Sequence, residues 1–279
     1  MSNTVVAIIN WNSGDMLRTC IESIIATTAD VKILVIDNGS RDSSIDCVPD
    51  FGGRAQLIAH SDNRGFAAAA NIAFGWTSTP YILILNPDIQ VLPGTIQLLE
   101  EFMDEHPRAG AAGGYAGRKY LPRPFPTTGS LILENLGLAN WTGAVPTEAT
   151  EVDQLAAAAI MIRRDAYEDT SGFDERFYPA WYEDVDFCRR LQWCGWRSFF
   201  VPAAEFVHAG GYSTKALGEA KFLRAYYGNQ ILYARKHFGR MNAILVRASI
   251  AAGMVGRIIC RPRHASGYAM AFFEALKIP

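Results

Sequence analysis

No two of the five cysteines in this 279-residue chain have the C-x-x-C spacing of a zinc or redox site, and the count is odd. Cys20, Cys47, Cys188, Cys194 and Cys260 are therefore expected to be reduced thiols in a cytosolic protein. A G-x-G-x-x-G fingerprint is also missing. The glycines of "GAAGGYAG" (110–117) are misplaced for it, which removes a dinucleotide reading. No run of about 18 uninterrupted apolar residues occurs, so a simple transmembrane helix is not expected. The start, "MSNTVVAIINWN", lacks the basic residues and cleavage site of a signal peptide. Acidic residues are absent from 221 to 263, where nine Lys and Arg residues stand. The formal charge of −2 thus hides a body of −11 over the first 220 residues and a tail of +9. The overall balance argues against a nucleic-acid binder. The asymmetry points to a cation-seeking site in the body and an anionic surface as partner of the tail.

What is present alternates in type. "TVVAIIN" (4–10), "VKILVID" (31–37) and "YILILN" (81–86) are short apolar, largely β-branched runs, the pattern of buried strands. Between and after them come helical stretches at 13–28, 63–79 and 93–107. In the first, Leu17, Cys20, Ile21, Ile24 and Ile25 share a face and Ser13 stands as a candidate cap. Strands alternating with helices imply an α/β fold built on a parallel sheet. Ligands gather at the carboxyl ends of such strands, where Asn10, Asp37 and Asp88 lie. Residues 110–150 are rich in Gly, Pro and Thr and give no clear element. "RSFFVPAAEFVH" (197–208) has the composition of a strand, and after 219 the chain turns helical and basic.

Five stretches carry candidate chemistry, and each has a plainer explanation beside it. "VIDNGSRDSS" (35–44) is a strand ending in an Asx-rich turn; a carboxylate there could also accept the imide N–H of a uracil or thymine. "NRGFAAAAN" (63–71) is a capped helix start, or an amide and a guanidinium next to a nucleotide. "NPD" (86–88) is a proline-stopped strand end, or a carboxylate placed on a rigid element for Mg²⁺ or Mn²⁺, which prefer oxygen ligands. In "WYEDVDFCRR" (181–190), Asp186 and Arg190 form an i,i+4 pair. Glu183 and Asp184, behind Tyr178, Trp181 and Tyr182, are carboxylates against aromatic walls, a setting for a general base and for stacking on a sugar. His208, ending an apolar run, is a structural histidine or the second ligand that Asp88 lacks.

Taken in order, "VVAIINWNSGDMLRTCIES", "VIDNGSRDSS", "NRGFAAAANIAF", "YILILNPDIQV", "GFDERFYPAWYEDVDFCRRLQWCGW" and "VHAGGYS" resemble the family 2 glycosyltransferases of GT-A fold, near their bacterial rhamnosyltransferase-like members. The resemblance spans roughly residues 5–214. It implies a Rossmann-like, mostly parallel sheet flanked by helices (1–218), with the basic, mostly helical stretch 219–279 as an extension. It implies that Asn10, Asn12, Asp37, Asn38, Asn63, Arg64 and Asn86 line the nucleotide and that Asp88 and His208 hold Mn²⁺ or Mg²⁺. Asp184, paired with Glu183, would be the catalytic base of an inverting transfer, and Trp181 and Tyr182 acceptor contacts. The partners it implies are a dTDP- or UDP-linked sugar, with rhamnose the first expectation, and a glycan or lipid-linked acceptor in cell-surface polysaccharide synthesis. The sequence departs from the family pattern just before the Glu-Asp pair, where "FYPAWYED" replaces a common "FFMYxED"; this bears on acceptor contacts.

Two other readings compete. A sugar nucleotidyltransferase would carry a glycine-rich, basic loop after the first strand; "NWNSGD" has one Gly and no Lys or Arg. A non-catalytic sugar-binding or scaffold protein would have no reason to keep Asp88, Asp184 and His208. The tail is expected to pack on the body or on a second subunit, with an interfacial helix on the anionic inner face of the cytoplasmic membrane as the sharper alternative.

Overall fold

The computed structural model describes residues 3–27, 30–139, 143–209, 217–260, 268–269 and 273. The last five residues of "VHAGGYST" and most of the chain beyond 260 lie outside them. A nine-stranded sheet forms the frame, in the order β3-β2-β1-β4-β8-β6-β9-β5 with β7 on the other flank of β9. Its first half is the expected parallel block. β1 (Thr4–Asn10) lies between β2 (Lys32–Asp37) and β4 (Tyr81–Leu85), and β3 (Ala55–Ala59) closes the edge.

Period-two alternation divides each of these strands between two cores. Val6, Ile8, Ile33, Val35, Leu83 and Leu85 face one side with α1 (Met16–Thr27) and α3 (Thr95–Glu105). Val5, Ala7, Leu34, Ile36, Ile82 and Ile84 face the other, against α2 (Phe66–Trp76), α5 (Arg164–Asp169) and α6 (Glu183–Trp193). With both faces covered, β1 is buried at all seven positions, which is why its sequence is an unbroken apolar run.

The structure differs from the sequence reading in several places. The sheet is mixed: β8 (Ala159–Arg163) runs antiparallel to both β4 and β6, and β5 (Ile89–Val91) and β7 (Thr150–Val152) run antiparallel to β9 (Arg197–His208). The α2 helix begins at Phe66, so Asn63 and Arg64 sit in the loop before it. Ser13 does not cap α1; its hydroxyl donates to Asn10 Oδ1.

The unassigned glycine-rich stretch is the strand β6 (Ala109–Tyr115). Its missing side chains are what admit β9: a Cβ on Gly114 would sit 2.0 Å from the Ala204 carbonyl oxygen. Further on, α4 (Thr128–Asn135) starts in a capping box between Thr127 and Ser130.

The tail forms α7 (Glu219–Cys260), which breaks at Gly239 (φ 83°). By length and composition α7 could cross a membrane, although a third of its most apolar window is buried against the protein. The sequence reading missed this because Arg247 and Arg257 interrupt a stretch whose average is still apolar. The helix shares a third core with the body, where Ile231, Tyr233, Val246 and Ile250 meet Leu131 of α4, Phe177 and Tyr182.

Candidate active site

The register of the parallel block sets the first part of the site. Asn10 pairs with Asp37 across β1 and β2, and Ile8 pairs with Leu85 across β1 and β4. Asn10, Asp37 and the "NPD" turn therefore leave the sheet along one edge. Asn10, fully buried, donates to Asp37 Oδ1 (2.8 Å), Ser44 Oγ (3.0 Å) and Ser40 Oγ (3.2 Å), while its own oxygen accepts from Ser13. Both amide hydrogens are spent within the fold. Within the fold, the Asn10 side chain braces the two loops.

Asp37 is buried and receives the Ser40 N–H on Oδ2 (2.9 Å) and the Ser40 hydroxyl on Oδ1. Ser40 also accepts the Asn12 N–H (2.8 Å), and Asn12 Oδ1 accepts the Arg41 N–H (2.7 Å). Asn38 donates to the Gly65 carbonyl (3.2 Å), while its buried Oδ1 has no hydrogen-bond partner among the described residues. Ser40 was missed by the sequence reading; in an Asx-rich turn a serine is not distinguishable from filler. Arg64 is exposed and near Asp62 (3.7 Å). Asn63 Oδ1 caps the Gly65 N–H (2.8 Å) and its carbonyl accepts the Tyr178 hydroxyl (3.1 Å).

A second group forms where β5 meets β9. Ile89 pairs with His208 in a short antiparallel ladder, and Asp88 O accepts the Ala209 N–H (3.1 Å). This register sets His208 Nε2 3.0 Å from Asp88 Oδ1, the meeting expected from the sequence. Both side chains are almost wholly buried. Tyr120 stacks on the imidazole at 4.1 Å, a neighbour that the irregular stretch around it gave no means of finding.

The pair fits a divalent ion. Two adjacent ligands of an octahedral ion, each at about 2.1 Å, stand about 3.0 Å apart, and these two atoms have that spacing. His208 Nδ1 has no partner among the described residues, so the ring is held by stacking in place of the usual hydrogen bond. No group of three His, Cys, Asp or Glu side chains that could hold a metal ion occurs among the described residues. The protein thus offers two donors and would leave the other positions to phosphate and water.

Two hydrogen bonds bring the second carboxylate to this edge. Asn86 N–H donates to the Ala158 carbonyl (2.9 Å), and the next amide back, Ala157 N–H, donates to Asp184 Oδ2 (3.2 Å). The path from "NPD" to Asp184 thereby runs through two hydrogen bonds and two residues, Ala157 and Ala158, although 96 positions of sequence separate Asp88 from Asp184.

Asp184 stands in the first turn of α6, where the helix dipole favours its charge. Burial pushes its carboxyl above the ordinary range, partly offset by the N–H groups of Ala157 and Val185. Glu183 is different. Burial, then the nearby Asp184, push it well above the ordinary range, and Oε2 has no partner among the described residues. A half-buried carboxylate with two N–H donors can take a proton from a substrate. Glu183 is sealed, so of the two acids Asp184 is the one that a substrate can reach.

The loop ahead of them is strained and braced. Trp181 (φ 76°) and Tyr182 (φ 71°) both have left-handed backbones, at roughly 1–3 kcal/mol each. Asn229 of α7 donates to the carbonyls of Tyr178 (3.3 Å), Ala180 (2.8 Å) and Trp181 (3.1 Å). Tyr182 is not at the surface: its ring is in the third core and its hydroxyl accepts from Gln230 (2.8 Å). The Tyr182 ring packs in the protein interior. Trp181 is half-buried, edge-on to Phe222 at 4.8 Å. Asp186 makes the expected bond to Arg190 Nε (2.8 Å) and also meets Lys236 (2.6 Å) and His237 (2.8 Å) of α7.

The family model for glycosyl transferase family 2 matches residues 5–178. An N-acetylglucosaminyl-diphospho-decaprenol L-rhamnosyltransferase of Mycobacterium tuberculosis is 29% identical, over 88% of this chain and 90% of that protein. Rhamnosyltransferase WbbL of Escherichia coli is 23% identical, over 86% and 98%. Among solved structures, the mannosyltransferase PcManGT from Pyrobaculum calidifontis, in complex with GDP-Man and Mn²⁺, superposes with a TM-score of 0.62 at 14% identity, covering 99% of this chain and 86% of that one. At that identity the likeness is one of fold, and the fold is GT-A.

Proposed function

The chain belongs to glycosyl transferase family 2, and from that premise we propose an inverting, metal-dependent transfer of a sugar, rhamnose first among them, from a dTDP- or UDP-linked donor to a glycan or lipid-linked acceptor. The observation that carries this reading is the convergence of the Asp88–His208 pair and Asp184 on one sheet edge through Asn86–Ala158 and Ala157–Asp184. Rhamnose and the lipid-linked acceptor are drawn from the names of the mycobacterial and enterobacterial relatives. The place of action proposed with them is the cytoplasm, at the inner face of the membrane that holds such an acceptor.

Each residue has a task in this reading. The Asp37–Asn38 turn, with Asn12, Asn63 and Arg64 around it, receives the nucleoside. Asp88 Oδ1 and His208 Nε2 would hold Mn²⁺ or Mg²⁺, which when bound supplies positive charge to a diphosphate. Asp184 takes the proton of the acceptor hydroxyl as its oxygen attacks the anomeric carbon from the side opposite the departing diphosphate. That geometry inverts the anomeric centre and needs no covalent intermediate. Trp181 takes the acceptor contact in this reading. The first arm of α7, through Asn229 and Gln230, stiffens the catalytic loop.

The test is a panel of sugar nucleotides with purified protein, with and without Mn²⁺, scored for sugar release and transfer. Metal-dependent turnover of one donor is expected. Asp184→Asn should lower transfer about 10²–10⁴-fold with donor affinity nearly unchanged. Transfer by Asp184→Asn at the wild-type rate, or equal binding of UDP and dTDP with and without metal, would overturn the assignment.

A further inference from the structure

Beyond Gly239, both the buried face and the exposed face of α7 are largely apolar, with arginines at its head and flanks. Ala243, Val246, Ile250 and Met254 are buried in the third core, against Leu131 of α4. The opposite side is open to solvent and consists of Met241, Ile244, Leu245, Val255 and Ile259, with Ala248, Ala252 and Gly256 between them. From Met241 to Ile259 no exposed position holds a polar or charged residue. Ile259 and Met241, at the two ends, are 75% and 71% exposed. The stripe is roughly 27 Å long at 1.5 Å per residue. A helix that is apolar on its outer as well as its inner face belongs in a core or against lipid. The end of α4 adds Leu133, Leu136 and Leu138, also exposed. It lies directly alongside, since a Cβ on Gly253 would stand 2.0 Å from the Asn135 carbonyl oxygen.

The charges around this face decide what it meets. Arg240 stands exposed at its head, and Arg247 and Arg257 on its half-buried flanks. Among the described residues no salt bridge joins a carboxylate to any of the three, and Arg247 Nε and Arg257 Nη1 are buried without a hydrogen-bond acceptor. A second copy would bring two such sets of arginines together, with no Asp or Glu between 221 and 263 to offset them. An apolar layer topped by anionic headgroups complements both parts: the stripe enters the layer and the guanidinium groups extend to the phosphates.

We propose that the second arm of α7, with the leucines at the end of α4, is a docking surface for an anionic lipid bilayer. The helix lies in the interface and does not span, because its other face is committed to the protein core and Ser249 on that face accepts from Asn135 (3.0 Å). The surface follows from exposure and charge and does not rest on the glycosyl-transfer reading.

Flotation of the full chain with vesicles of phosphatidylcholine alone, or of phosphatidylcholine with phosphatidylglycerol as the anionic lipid, tests this without any donor. The wild type should float with the anionic vesicles and at least tenfold less with neutral ones. Leu245→Glu/Ile259→Glu should lose at least tenfold in partitioning while keeping the wild-type melting temperature, and Arg240→Gln/Arg257→Gln should lose the preference for anionic lipid. A wild type that stays in the bottom fraction, or a Glu variant that floats equally well, would overturn the proposal. So would a dimer in gel filtration that the Glu variant dissolves, with no vesicle binding by either form.

Discussion

At the scale of single residues, the two adjacent acids at the head of α6 are a natural experiment in environment. They share a turn and differ in what surrounds them. Asp184 has N–H donors from Ala157 and Val185 and a partly open face; Glu183 has a sealed carboxyl with an orphaned oxygen. In the folded state the raised Glu183 holds its proton to higher pH than in the unfolded chain. The native state therefore binds more protons, and stability falls as pH climbs above the ordinary Glu value of about 4.3. Glu183→Gln removes that loss. Melting curves from pH 5 to 9 should show the variant gaining on the wild type as pH rises; parallel curves would mean that Glu183 is not held neutral. Sequence could name this pair and could not divide it, because burial of one neighbour and not the other is decided by the loop before them and by α7.

At the scale of elements, local pattern and long-range pairing part company. The buried strands and the helix pattern were legible, and so was the partnership of Asp88 with His208, a lone carboxylate and a lone histidine each ending an apolar run. The role of Asn10 was not, because a strand-end amide reads the same whether it faces a ligand or braces a neighbouring loop. Neither was β6, whose glycines look like a loop until β9 is laid against them. Asn229 left no signal at all: it is one polar residue in a helix, and only the fold brings it to three carbonyls of the Trp181–Tyr182 turn. That contact makes a sharp prediction. Asn229→Ala leaves carbonyls without a donor, a cost of about 1–3 kcal/mol, and should lower kcat with little change in donor KM. Asn229→Asp is closer in shape and should be worse, since it turns the donor into a further acceptor. Equal kcat and melting temperature in the Asp variant and the wild type would show that the amide does not hold the loop.

At the scale of the whole molecule, the change in sequence character near residue 219 is not a break in structure. Lys236 and His237 of α7 reach the buried Asp186, Lys236 also reaches Asp174 (2.7 Å), and the third core draws on both sides of the boundary. Burial alone would raise Asp186, but His237, Arg190 and Lys236 outweigh it and hold the carboxyl below the ordinary range. Removing α7 would leave that charge buried with one partner. The full chain should accordingly unfold in one calorimetric transition, with calorimetric and van't Hoff enthalpies in agreement. Two resolved transitions would make the tail an independent unit.

The break at Gly239 gives the two arms of α7 separate duties: the first grips the turn that leads to Asp184, the second offers its bare side to lipid. With the lipid-linked acceptor proposed above, an enzyme so built would meet it by sliding in a plane and not by diffusing through a volume. The concentration that governs its turnover then becomes the number of acceptor molecules per unit area of leaflet, and spreading a fixed amount of acceptor over more lipid slows the reaction even when nothing in the surrounding water has changed.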